Sequence, residues 1–451
     1  MAKRVSRILP LLALLVVLAG CGKKPNIVIV LVDTLRADTV GAYGYSRKVT
    51  PHIDELAKKS VIFKNAHAAA SWTVPSVTSL FTGVYPWSHG VIYAEIGDRT
   101  IKTQQKLSDK FVTLAESFKQ RGYATFCISA NYHLHEQYGL AQGFDYDKVF
   151  YFSDREQVDG QVRLWLPEIK KLQQRGKPYL FYVHYFDPHL PYKYVEPFTA
   201  QVNSQITIED ATRWGAIDLN STKQREDYLA DPAKMRLIRD LYDGEVAAAD
   251  DSVGKLLAQL PDLDNTLVVF ISDHGEAFGE HQNFSHGGDL YTETLRVPLM
   301  VKLPKNAHAG LVVQDQVSLI DLYPTLMKLV GGEKPKYLAG VDLAPLWSGG
   351  QLASRMLFAM TQRSSKYVWF GAIGPQYKLL YHDSANRYEL YDMEEDLHEL
   401  NNVLASQRDI AKEYRQILAK ERRTPLLYNP GVVGAPMSDE LRKTLRTLGY
   451  L

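Results

Sequence analysis

The stretch Asn26-Ile27-Val28-Ile29-Val30-Leu31-Val32, closed by Asp33, decides the fold class. An antiparallel strand with one wet face alternates apolar and polar residues. Here the apolar run is unbroken and mostly β-branched, so it reads as a strand buried on both faces of a sheet. Ala124 to Ala130 (ATFCISA), Tyr179 to Tyr185 (YLFYVHY) and Thr266 to Ser272 (TLVVFIS) repeat the pattern. Helical patterns lie between them. Thr50-Pro51 begins a helix with a cap residue and a first-turn proline, Lys234 to Leu260 is a long helix, and Ser318 to Val330 is another. Strands alternating with helices predict an α/β fold with a large, mostly parallel central sheet covered by helices.

After about Gly340 the pattern changes. Met356 to Thr361, Lys366 to Gly371, Tyr377 to Tyr381 and Tyr388 to Tyr391 are short strands separated by turn residues, and Ser406 to Glu421 is helical. This predicts a catalytic domain over residues 21–340 and a C-terminal subdomain, 341–451, with a small antiparallel sheet and a helix. The chain has 451 residues, with 52 Lys and Arg against 51 Asp and Glu. That balance shows no basic excess of the kind a nucleic-acid partner requires. With 45% hydrophobic and 23% charged residues, the composition excludes a disordered chain and a multi-span membrane protein. The 2 cysteines exclude a disulfide scaffold.

Residues 1–20 read as a leader. Lys3, Arg4 and Arg7 are followed by the apolar Ile8 to Val17 and then Leu18-Ala19-Gly20-Cys21. That ending resembles the lipobox of bacterial lipoproteins. The resemblance implies cleavage before Cys21, a lipid on Cys21, membrane attachment through that lipid, and an extracytoplasmic location. Cys127, in an apolar run, is then the remaining thiol and reads as core packing.

The chemistry gathers at strand ends. Asp33 follows the first buried strand, and Asp273-His274 follows Thr266 to Ser272 in the same way. Ligands of open α/β sheets bind beyond the carboxyl ends of the strands. Two carboxylates and an imidazole meeting there suit one divalent ion, Mn, Zn, Mg or Ca, with the histidine pulling away from Ca. Ser71-Trp72-Thr73-Val74-Pro75-Ser76, ending at Gly83, reads as a helix with proline in its first turn and glycine just past its end. Thr73 is then either a cap or a residue facing an anion at the helix N-terminus. Arg36 reads equally as an anion ligand and as a surface partner of Asp38. A second ion would need Asp187 to converge with a histidine pair, which no spacing demands.

Several ordered segments now carry a family resemblance. Pro25 to Asp33, Gly41-Ala42-Tyr43-Gly44-Tyr45, Thr50-Pro51-His52-Ile53-Asp54 and Thr73-Val74-Pro75-Ser76 with Leu80-Phe81-Thr82-Gly83 follow the order seen in sulfatases. So do Tyr242-Asp243-Gly244-Glu245, Ser272-Asp273-His274-Gly275, Arg296-Val297-Pro298 and Glu389-Leu390-Tyr391-Asp392. The resemblance implies the alkaline phosphatase superfamily fold, an α/β sandwich with a small C-terminal α/β subdomain. It also implies that His189, in His184-Tyr185-Phe186-Asp187-Pro188-His189, contacts the transferred group or protonates the leaving oxygen. His184 itself reads as core.

The departures from the sulfatase pattern sharpen the expectation. Thr73 stands where sulfatases carry the cysteine or serine that becomes formylglycine, and threonine cannot yield that aldehyde. Val77 replaces the motif arginine, Thr34 the second aspartate of the metal pair, and Ser285-His286-Gly287 lies where sulfatases have a lysine. These changes resemble phosphoglycerol and phosphoethanolamine transferase-like members, which use a metal-bound threonine. On that resemblance Asp33, Thr73, Asp273 and His274 hold one divalent ion, Thr73 is the nucleophile, and His189 and His286 assist. The expected activity is a metal-dependent hydrolase or transferase acting on phosphoric (di)ester or sulfuric ester bonds of a small-molecule, glycan or lipid-linked substrate. The alternatives are a sulfuric ester hydrolase working without formylglycine and an inactive anion-binding protein. Tyr85 to Gln105 and Pro191 to Asp231 are the stretches expected to shape the substrate pocket.

Overall fold

The computed structural model describes residues 23–97, 100–215, 221–364 and 367–433. The leader, Cys21 and Lys366 lie outside the described residues. A mixed sheet of eight strands forms the centre. In chain order these are β1 (Asn26–Val32), β2 (Val61–His67), β3 (Ala124–Ser129), β4 (Tyr146–Val149), β5 (Tyr179–Tyr185), β6 (Thr266–Ile271), β7 (Arg296–Lys302) and β8 (Val312–Ser318). Their spatial order is β8-β2-β7-β6-β1-β5-β3-β4. β1 pairs in parallel with both β5 and β6, and every one of its residues is buried. The unbroken apolar run therefore sits where it must, between two neighbours and under helices on both faces. Only β7 runs against the rest, pairing antiparallel with β2 and β6.

Sequence reading passed over β2, β4, β7 and β8. β7 carries Pro298, which has no N–H for the ladder. The register shifts there, between Val297 and Leu299. Tyr43 closes the gap: its hydroxyl accepts from Leu299 N at 2.8 Å and lies 3.0 Å from Phe63 O and 2.9 Å from Leu299 O. A motif tyrosine on one loop thus repairs a sheet defect on another.

The helix of residues Pro232–Gln259 spans one face, capped by Asp231, whose side chain accepts from Ala233 N and Lys234 N. It holds the loop after β1 in place. The Tyr242 hydroxyl donates to Thr34 O at 2.9 Å and accepts from Arg36 N at 3.0 Å. Gly244 lets this helix approach the segment Phe198–Val202, because a Cβ there would meet Thr199 Oγ1 at 2.4 Å.

The expected helix from Ser318 to Val330 needs correction. Ser318 ends β8, a 3-10 turn follows at Leu319–Asp321, and the α-helix is Leu322–Leu329. Asp321 Oδ2 accepts from Ser318 N at 2.8 Å, so the serine marks a boundary rather than a helical position. The C-terminal strands Leu357–Ser364, Tyr367–Ile373, Tyr377–His382 and Arg387–Asp392 form an antiparallel meander. The helix Arg408–Glu421 packs on it through Ala411, Tyr414 and Leu418. Cys127 is buried in the main core. Among the described residues no helix is long and apolar enough to cross a membrane.

Candidate active site

Four neighbouring strands, β6, β1, β5 and β3, deliver polar side chains to one place at their carboxyl ends. Asp33 follows β1, Asp273 and His274 follow β6, Asn131 follows β3, and His184 lies near the end of β5. All five are buried. Strand register makes the convergence inevitable, because His184 lies opposite Leu31 on one side and Ser129 on the other.

Asp33 is held by two donors. Asn131 Nδ2 donates to its Oδ2 at 2.8 Å, and His184 Nε2 lies 3.1 Å from the same oxygen. Its Oδ1 has no hydrogen-bond partner, and neither has Asp273 Oδ2. Burial would raise the Asp33 carboxyl, but the His184 contact and the fields of His184, His189 and His274 outweigh it and hold it well below the usual carboxylate range. Asp273 goes the other way, pushed up to about 6 by burial and by the neighbouring Asp33 carboxylate. Two buried carboxylates with one orphaned oxygen each are what a cation would neutralise. Donor atoms of Asp33, His184 and Asp273 all lie within 4.8 Å of one another. His274 fits the same set. Its Nδ1 lies 2.9 Å from Gly275 O, and a carbonyl can only accept, so the Nδ1–H is fixed. Nε2 is left as the lone-pair atom, 3.4 Å from Asp273 Oδ2 and 3.6 Å from Asp33 Oδ1. The residues present fit a divalent ion.

Thr73 is the first residue of the helix Thr73–Thr82, and Trp72 occupies the cap position without a side-chain bond. The Thr73 hydroxyl is therefore not a cap. It lies 3.3 Å from His274 Nε2 and 3.3 Å from Asn131 Nδ2. Every residue of this helix is buried, and Ser76 anchors it by donating to Asp273 O at 2.6 Å. The loop after β1 is pinned as firmly: Ser272 Oγ accepts from Leu35 N at 2.9 Å and donates to His274 O at 2.7 Å. Thr34, directly after Asp33, adopts a left-handed φ of 53°, strained for a β-branched residue.

Three imidazoles form a contiguous row. His286 lies with its ring centroid 4.4 Å from that of His274, and His189 lies 4.8 Å from His286. His189 stacks on Phe186 and commits Nδ1–H to Leu190 O at 2.6 Å. His286 Nδ1 lies 3.1 Å from Glu276 Oε1. All of the residues singled out as site candidates, Asp33, Thr73, His189, Asp273, His274 and His286, thus fall in one cluster. Asn131 and His184 join it although the sequence reading left one out and placed the other in the core. The signal for Asn131 was its position just past a buried strand.

Arg36 is not available to a substrate. Its guanidinium is buried, paired with Asp38 at 2.7 Å and Glu280 at 2.6 Å, and it donates to Glu276 O at 3.0 Å. The pairing with Asp38 is the expected surface contact, since the Asp38 side chain is 57% exposed, but the guanidinium itself is buried and turned away from the site. Asp187 does not converge with a histidine pair; its Oδ2 accepts from Arg155 N at 3.1 Å.

Comparison with known proteins agrees with this architecture. The sulfatase family profile matches residues 25–332, and the profile of the N-sulphoglucosamine sulphohydrolase C-terminal region matches residues 279–424. A delta 4,5-hexuronate-2-O-sulfatase of Bacteroides thetaiotaomicron is 26% identical over 453 residues, covering 90% of this chain and 90% of that protein. A multifunctional alkaline phosphatase superfamily protein of Trinickia caryophylli is 22% identical over 413 residues, covering 73% of this chain and 78% of that one. The crystal structure of a phosphonate monoester hydrolase of Agrobacterium radiobacter superposes with a TM-score of 0.72 at 21% identity, covering 92% of this chain and all of the other.

Proposed function

Because this chain belongs to the sulfatase family, we propose that it is a metal-dependent hydrolase or transferase that cleaves phosphoric (di)ester or sulfuric ester bonds with Thr73 as nucleophile. The observation that carries the reading is the Thr73 hydroxyl, 3.3 Å from His274 Nε2 at a helix N-terminus, beside the orphaned oxygens of Asp33 and Asp273. Asp33, Asp273, His274 and Thr73 would hold one divalent ion, with His184 Nε2 and Asn131 Nδ2 orienting the Asp33 carboxylate. Bound there, the ion supplies positive charge that lowers the pKa of the hydroxyl and offsets charge on the transferred group.

The chain's own residues do the rest. Asn131 Nδ2 spans Asp33 Oδ2 and Thr73 Oγ1 and so fixes the direction of the nucleophile. The hydroxyl proton passes to solvent, the new ester bond forms at Thr73 Oγ1, and the bond to the leaving alcohol breaks. As an imidazolium, with Nδ1–H bonded to Leu190 O, His189 gives its other ring proton to the leaving oxygen. His286, braced by Glu276, stands between His189 and His274 and faces the same group. Water or an acceptor alcohol then displaces the enzyme ester. A threonine ester has no second hydroxyl to expel the group from within, so an external nucleophile is required.

Charge selects the substrate class. Arg36 is neutralised by Asp38 and Glu280, so the site adds little cationic support beyond the ion. That favours monoanionic groups, phosphodiesters first and sulfate monoesters second, on a small-molecule, glycan or lipid-linked alcohol. The sulfate reading gains support from the two sulfatase-type profiles that match the chain. A panel of aryl sulfate, phosphate monoester, phosphodiester and phosphonate substrates, run with Mn, Zn, Mg and Ca in turn, tests the assignment. Highest turnover on a phosphodiester supports it, and highest turnover on an aryl sulfate moves the sulfatase reading first. Binding of sulfate or phosphate with no turnover on any substrate leaves the anion-binding protein. The leader adds a location: a lipoprotein attached through Cys21, facing an extracytoplasmic space. Membrane attachment that persists in Cys21→Ser would contradict it.

A further inference from the structure

A second group of ionisable side chains lies outside the site just described. His281 sits in the turn between the short paired strands Ala277–Phe278 and Phe284–Ser285. Glu293 belongs to the helical turn Thr292–Leu295, and Glu399 to the segment after the last strand of the small sheet. Their donor atoms all lie within 4.8 Å of one another. Glu293 Oε1 has no hydrogen-bond partner although only 6% of the side chain is exposed, and it lies 3.9 Å from His281 Nε2. Thr292 Oγ1 is likewise unpartnered. The Lys378 ammonium lies 2.7 Å from Glu399 Oε1 but is not aligned to bond it. Glu399 Oε2 accepts from Thr292 N at 2.6 Å.

Charge balance shows what is missing. Among the described residues, Asp289, Glu293 and Glu399 are buried together with one ammonium, that of Lys378. Asp289 is satisfied by Tyr291 N, Thr294 and Asn283, and Glu389 is satisfied by Tyr291, Tyr391 and Arg387. Glu280 faces Arg36 instead. Three buried carboxylates against one ammonium leave two negative charges, which a divalent ion would neutralise.

We infer that His281, Glu293 and Glu399 form a second divalent-cation site, structural rather than catalytic. One imidazole with carboxylate oxygens suits Zn or Mn better than Ca or Mg. The site has a mechanical consequence. Glu276 N donates to Glu293 O at 3.0 Å and Gly275 N to Thr294 O at 2.9 Å. A Cβ on Gly275 would meet Glu293 O at 2.0 Å, so the two segments touch. An ion here would tie the Asp273-His274-Gly275-Glu276 loop to the segment that follows the small sheet.

The test uses the full chain, stripped with a chelator and titrated with Zn or Mn alone. Bound metal and melting temperature are read together. The wild type should take up two ions per chain, Asp273→Ala one, and His281→Gln and Glu293→Gln should each lose the ion that Asp273→Ala keeps, together with its share of the melting-temperature rise. His281→Gln lies at the rim of the cluster and keeps the test usable where Glu293→Gln does not fold. A folded Asp273→Ala that binds no ion would overturn the inference. So would His281→Gln or Glu293→Gln protein with the wild-type metal content and the wild-type melting-temperature rise. A wild type that binds a single ion, lost in Glu293→Gln and kept in Asp273→Ala, would uphold this site and remove the one proposed for catalysis.

Discussion

The central sheet and the small C-terminal sheet use strands for different ends. In the central sheet, parallel neighbours end on the same side, so Asp33, His184 and Asp273 arrive together although their sequence positions are far apart. In the C-terminal meander, adjacent strands run in opposite directions, and their ends alternate between two edges. Its residues pack instead: Phe358, Met360, Leu379 and Leu390 make a core with Ala411, Tyr414 and Leu418 of the helix. Parallel register concentrates chemistry, and the meander supplies a brace.

This difference can be broken by mutation, and Asp273→Ala carries the largest effect. It should remove the catalytic ion and lower turnover by on the order of 10³-fold or more, since charge stabilisation of the transferred group goes with it. Elemental analysis with steady-state kinetics checks both. His189→Ala should cost about 10²–10⁴-fold in kcat, the usual worth of a general acid. The loss should shrink for substrates whose leaving alcohol is already acidic, and an equal loss for all leaving groups would remove His189 from that role.

Asn131→Ala should cost about 10–100-fold, as expected of a group that orients a ligand rather than reacting. The loss should fall on kcat, leaving KM near wild type. In the brace, Leu390→Ala should cost about 2–5 kcal/mol of stability, because the side chain is fully buried. Its folded fraction should keep wild-type kcat. A kcat loss matching that of Asn131→Ala would mean that the two sheets are not separable in this way.

The smallest effect concerns pH. Asp187 is raised to about 6 chiefly by burial, against the pull of Arg155 and Lys193. A carboxyl whose folded pKa is raised favours the fold fully at low pH and loses that contribution as pH rises through about 6. Asp187→Asn should match wild-type melting temperature below about pH 4 and fall less than wild type between about pH 4 and 6. Parallel curves across that window would contradict the shift.

The sequence made the central strands legible where burial is complete. β1, β5 and β6 are continuous apolar runs, and their limits came out within a residue. β2 was hidden because Lys64 and Asn65 interrupt its apolar run at half-buried positions. β7 was hidden because proline seldom sits inside a sheet, and only the bulge filled by Tyr43 makes it tolerable. The helix Arg155–Gln174 carries Pro167 in its interior, which masks its period. At the site, Asp33, Asp273 and His274 were readable because polar residues directly follow apolar strands. His184 was not, since it lies inside such a strand and only lateral register turns it toward Asp33. The cluster of His281, Glu293 and Glu399 has no sequence signature, because its members meet only after the small sheet docks on the loop after β6.

The central claim is that Thr73 takes the transferred group, and rapid-quench mass spectrometry tests it most directly. Metal-loaded protein mixed with a phosphodiester and quenched in acid should yield a phosphoryl adduct on the peptide containing Thr73. Thr73→Ala should fold, lack the adduct and lack turnover, whereas Thr73→Ser should retain part of both. An adduct on another residue, or wild-type turnover in Thr73→Ala, would contradict the account.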